Sequence, residues 1–142
     1  MPRDIVPDRV LRKVPPLMMH DGEHPDDVPV AFKVFAPGTN YTFYVTEGSA
    51  MARRPGGGLH DYVEISLDAY LDMKDELELL DIRFFGLAVL HEVELGYASY
   101  DEWRHLRIGP IYIELDRHMP GEYKLGDAMR HHDYPVRERR AS

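Results

Sequence analysis

The chain has no cysteine, a single tryptophan, and no apolar run near the ~20 residues that a membrane-spanning helix needs. Without cysteine there are no disulfides, thiolate metal sites or cysteine nucleophiles, and either redox compartment is compatible. Without a long apolar run, no membrane segment is expected. Positive charge is also scarce: 17 Lys and Arg stand against 25 Asp and Glu, a net charge of -8. That balance argues against direct binding along a nucleic-acid backbone, which requires clustered Lys and Arg. Residues 1–14 interleave charges with short apolar steps and lack the continuous apolar core of a secretion signal, so a cytoplasmic location is the expectation.

What is present fits one ordinary domain. The 142 residues, 44% hydrophobic and 11% aromatic, suffice for a core without staples. Asp8 is a helix N-cap candidate, with Val10, Leu11 and Val14 at helical spacing before Pro15-Pro16 stops the helix. Residues 19–29 are polar and rich in turn formers, which predicts an exposed loop. Residues 30–35 and 41–47 alternate like strands around Pro37-Gly38-Thr39-Asn40, predicting a hairpin in which Tyr41, Phe43, Val45 and Glu47 share one face.

The glycine-rich stretch in 48–60 predicts a flexible connection. A short strand follows at 61–66. Leu67, Tyr70, Leu71, Lys74 and Leu77 then sit at helical spacing, with Ser66 as cap. Residues 82–90 are nearly all apolar and predict the central strand. A further strand at 95–99 runs into Ser99-Tyr100-Asp101-Glu102, a capping-box pattern opening a helix over 100–107, and Ile111, Ile113 and Leu115 alternate as a last strand. The order predicts a single α+β domain over 1–136, with a mainly antiparallel sheet, about three short helices, a flexible insertion near 49–60, and a frayed tail at 137–142.

Three blocks together, LRKVPPL (11–17), KVFAPGTNYTFYVTEGS (33–49) and FFGLAVLHEVELGYASYDEW (84–103), resemble the domain of unknown function 2958 family, small proteins of plasmids, phages and other mobile elements. The matching blocks span roughly residues 9 to 106. Residues 51–81 form a longer insertion than the family pattern, and Phe43 stands where it has Trp. The resemblance implies a setting, mobile-element accessory biology, and no reaction.

Glu47, Glu92 and Glu94 are the candidate site. If they converge, with Tyr97 or Arg54 nearby, they would hold a divalent cation or nucleotide, or supply an acid/base pair. If they do not, each accepts loop N–H groups or pairs with arginine. His91-Glu92-Val93-Glu94-Leu95 fails the zinc-protease pattern, because Leu95 occupies the second histidine position. Arg53 and Arg54 before Gly56-Gly57-Gly58 would suit an anion, yet the phosphate-loop spacing is missing. The residues single out no cofactor and no metal.

Charge is unevenly placed. Asp61, Glu64, Asp68, Asp72, Asp75, Glu76, Glu78 and Asp81 crowd one stretch against Lys74 alone. Such a face imitates nucleic-acid phosphates and would engage a protein with a basic surface; the plainer reading is a solvated helix face. The leading expectation is a non-enzymatic accessory protein that modulates a host or element nucleic-acid or defence enzyme through this face. The alternatives are a small-ligand or divalent-cation binding protein or enzyme at the Glu47 set, and a structural domain that forms homodimers through edge strand 111–116.

Overall fold

The computed structural model describes residues 4–58, 60–105, 107–108 and 111–139. Helix α1 (Asp8–Leu11) leads through a polar loop with one 3₁₀ turn (Pro25–Asp27) into β1 (Phe32–Phe35) and β2 (Thr42–Arg53). Strand β3 (Val63–Ser66), helix α2 (Leu67–Met73), strands β4 (Glu78–Val89) and β5 (Val93–Ser99) and helix α3 (Tyr100–His105) follow. The chain ends with three two-residue strands, β6 (Arg107–Ile108), β7 (Ile111–Tyr112) and β8 (Glu114–Leu115), and helix α4 (Leu125–His131). This is the expected α+β class: a six-stranded antiparallel sheet in the order β5-β4-β2-β1-β8, with β3 also paired to β2.

Strand β2 is the axis of the sheet. One flank pairs with β4 from Thr42 to Arg53, while the other is shared by β1 along residues 42–45 and β3 along residues 49–52. Residues 15–18 fill the gap between those two. Gly48 N–H donates to the Pro15 carbonyl at 2.9 Å and Leu17 N–H to Ser49 Oγ at 3.0 Å. Pro15 brings an acceptor and has no N–H of its own to leave unpaired.

Two cores lie on opposite faces. On the first, Phe32, Phe43, Val45, Ile82 and Phe84 pack under α2 and α3, with the Phe84 and Trp103 rings stacked 5.2 Å apart. On the second, Tyr44, Leu87 and Val89 are covered by Val28, Val30 and the Leu125, Ala128 and Met129 side of α4.

A β-bulge decides which face receives Glu47. Pairing with β4 steps from Val45 opposite Gly86 to Glu47 opposite Phe85, so Thr46 has no opposite residue. One extra residue reverses the alternation of everything beyond it. Glu47 therefore lies on the second face with Tyr44 and Phe85, which corrects the expected row with Phe43 and Val45. Beside the bulge, a Cβ on Gly86 would stand 1.8 Å from the Tyr44 carbonyl oxygen, so only glycine permits this approach of the two strands.

Other expectations are corrected as well. Helix α1 ends at Leu11 and its N-cap is Pro7, while Asp8 bonds Lys74 at 3.0 Å. Helix α2 ends at Met73 and β4 begins at Glu78, four residues earlier than expected. Ser66 does cap α2, accepting the Ala69 N–H, and Ser99 Oγ accepts the Glu102 N–H in α3. Residues 48–53 of the expected flexible connection are strand, and β2 is more completely buried than β4. Strand 111–116 is divided: β7 pairs with β6, and only β8 reaches β1. Helix α4 adds a fourth helix. Within the stretch expected to fray, Arg139 donates to Asp27 at 2.9 and 3.0 Å. Residues 140–142, Leu106 and Gly109-Pro110 lie outside the described residues. No helix among the described residues is long and apolar enough to cross a membrane.

Candidate functional site

The second face carries a cleft of about 380 Å³ beside α4. Phe85 makes its floor because it is paired with Glu47 on β2 and with Tyr97 on β5, which sets three side chains in a row across three strands. The Tyr97 ring meets Phe85 edge-on at 5.1 Å and remains 64% exposed. Leu125 and Met129 of α4 form one wall; loop residues 18–25 and Arg137 form the others.

Glu47 is the polar centre of this floor. Its residue is 7% exposed, and Oε2 accepts the Met18 N–H at 2.7 Å. Oε1 has no hydrogen-bond partner among the described residues. A buried carboxylate that is half satisfied retains acceptor capacity toward whatever enters the cleft. His20 and Glu23 contact each other at the rim, adding Glu23 and Asp21 to the acidic side and leaving Arg137 as the cation in the lining.

The loop that roofs the cleft is latched. Asp26 takes a bidentate bond from Arg130 at 2.7 and 2.9 Å, and Asp27 takes another from Arg139. Arg130 and Arg139 hold these two carboxyls below the ordinary carboxylate range, since each bond favours the charged form. His24 Nε2–H donates to the Arg137 carbonyl at 2.7 Å and Arg137 donates back to Gly22 O at 3.2 Å.

Of the residues expected at a site, Glu47 and Tyr97 are brought together. Glu92 and Glu94 are not. Glu94 pairs with Ala88 and so belongs to the opposite face, and Glu92 sits in the β4–β5 turn, its carbonyl accepting the Leu90 N–H. Both lie toward the end of the hairpin, Glu94 three register positions along β4 from Phe85 and Glu92 two further on, at the turn. The carboxylate cluster expected to hold a cation does not form, and no group of three His, Asp or Glu suited to a metal occurs among the described residues. Arg54 is exposed beyond the far end of β2, where the loop spends its donors on itself: Gly57 N–H bonds Arg54 O and Gly58 N–H bonds Asp61.

The acidic stretch is less bare than its sequence. Arg12 bridges Asp68 and Asp72 at 2.9 and 2.8 Å, and Arg53 pairs with Glu78, lowering its pKa. Asp81 turns inward to accept from Ile82 N, Asp101 N and Ser99 Oγ. Glu64, Asp75 and Glu76 remain exposed without an ion pair among the described residues.

Sequence reasoning missed Phe85, the roof latch and α4. The available signal for α4 was Leu125, Ala128 and Met129 at i, i+3 and i+4, with Asp127 accepting the Lys124 N–H at the helix start. No family model matches the chain, and no curated protein or solved structure is significantly similar to it.

Proposed function

We propose that the protein works by binding rather than by catalysis, and that its recognition site is the cleft over Glu47. The supporting observation is the buried Glu47 carboxylate, one oxygen committed to Met18 and the other open, beside the Phe85 and Tyr97 rings. The complement is a small ligand joining an N–H donor or cationic group to an apolar body: the donor meets Glu47 and the body lies on the rings, where a cation also gains from the aromatic face. The mobile-element setting belongs to this proposal and rests on the resemblance of the three sequence blocks alone.

A thermal-shift screen with aliphatic and aromatic amines, guanidines, purine nucleosides and divalent cations tests it. A ligand at 100 times its Kd stabilises by about 2.7 kcal/mol. Amines or guanidines with an apolar body are expected to raise Tm in the wild type and to lose most of that shift in Glu47→Gln. No shift from any of them, or shifts unaltered in Glu47→Gln, rejects the cleft as the site.

A second reading keeps the acidic surface as a docking face for a basic protein, favoured by the exposure of Glu64, Asp75 and Glu76. Salt-sensitive binding to a basic protein, lost when those three become lysine, would support it over the cleft.

A further inference from the structure

Among the described residues, strand β5 is a free edge of the sheet beside the cleft, with β4 as its single neighbour. Its pairing with β4 runs unbroken from Val93 to Ser99. It carries no proline, lysine or arginine and no bulge, so the devices that ordinarily protect an edge strand are missing apart from Glu94. Leu95 and Tyr97 stand 39% and 64% exposed on one face of it. The other edges are poorer templates: β8 is two residues long, and β3 is four and carries Glu64.

We propose that β5 pairs antiparallel with β5 of a second copy of this chain, about a twofold axis through Gly96. This register uses all seven residues. It sets Leu95 opposite the partner's Tyr97 twice, Glu94 opposite the partner's Ala98 and Val93 opposite the partner's Ser99. Both exposed apolar side chains gain an apolar neighbour, and no like charges meet across the pair. Moving the axis to Leu95 sets Tyr97 against the partner's Val93 and shortens the pairing. Moving it to Glu94 opposes two carboxylates. Directly opposite residues share a face, so the two six-stranded sheets join with both clefts opening on the same side. Leu95 and Tyr97 line the cleft, and each cleft gains the partner's pair beyond its own rim. The pairing stands whether or not the cleft takes a ligand.

The cysteine-free chain allows a direct test. A Cβ at Gly96 meets nothing within 4 Å, so Gly96→Cys fits. Residues opposite each other across antiparallel strands lie about 4.5–5.5 Å apart at Cα, inside disulfide range. Glu94→Cys, four register positions from its own copy, is roughly 14 Å away and outside it. Light scattering is expected to give twice the 16.5 kDa chain mass for the wild type. Mild oxidation should link Gly96→Cys into a covalent dimer well ahead of Glu94→Cys. The double variant Leu95→Lys, Tyr97→Lys should be a monomer with an unchanged circular dichroism spectrum. A monomeric wild type at every concentration, equal linking of the two cysteine variants, or a folded dimeric lysine variant would each overturn the assignment.

Discussion

The N–H of Met18, a residue with a left-handed φ of 71°, donates to Glu47 Oε2 at 2.7 Å. Non-glycine residues adopt that conformation at a cost, of order 1 kcal/mol or more. Glu47 therefore does two things at once: it fastens residues 15–18 across the gap between β1 and β3, and it leaves an acceptor in the cleft.

Replacing Glu47 with alanine removes a charge-assisted acceptor from a part-buried bond, a loss of about 1.5 kcal/mol. Glu47→Gln keeps a carbonyl oxygen for Met18 and should cost less than about 1 kcal/mol. Urea unfolding checks both, and hydrogen exchange at Met18 should accelerate in the alanine variant alone. Equal stability of wild type and Glu47→Ala would show that the bond does not hold the loop.

Helix α4 packs on the second face because a glycine lies where its first turn meets the 3₁₀ turn. A Cβ on Gly126 would stand 2.0 Å from Asp26 Oδ1, the atom that accepts from Arg130 Nη1 at 2.7 Å. Glycine to alanine inside a helix ordinarily stabilises by roughly 0.5–1 kcal/mol. Here the sign should reverse, because the methyl displaces Asp26 and breaks the latch. Gly126→Ala is expected to lower the urea midpoint, and in an Asp26→Ala background, where the latch is already gone, the same change should cost little or nothing. If the two variants are simply additive, the contact is not the cause.

Local structure was legible wherever a residue announces its own geometry. Pro37-Gly38 turns the β1–β2 hairpin, and Ser66 and Ser99 cap the helices they precede. What could not be read depends on residues distant in sequence. No local pattern marks Thr46 as the bulged residue, so parity carried Glu47 to the wrong face, and with it the supposed meeting with Glu92 and Glu94. The acidic stretch looked unpaired because Arg12 and Arg53, which neutralise three of its carboxylates, lie outside it. Helix α4 escaped notice because Gly126 weakens its propensity, although tertiary contact demands that glycine.

The hydroxyl of Tyr44, 2% exposed, sits 2.8 Å from His132 Nε2. Burial, helped by Tyr123, pushes the Tyr44 pKa far up, so the hydroxyl keeps its proton beside the imidazole. Burial lowers the His132 pKa below its ordinary 6.5, helped by His131 and Lys33 and opposed by Asp133. The unfolded chain therefore binds this proton more readily than the folded one. Stability from this site is complete above about pH 6.5 and is lost as pH falls through the folded value. Asp26, Asp27 and Glu78 have lowered pKa values, so their contributions are lost only below about pH 4, in a separate window. Between pH 7.5 and 5, wild-type Tm should therefore fall. His132→Gln, whose amide oxygen can accept from Tyr44 and does not titrate, should show a flatter profile across the same range. Parallel profiles for the two proteins would remove His132 as the group responsible.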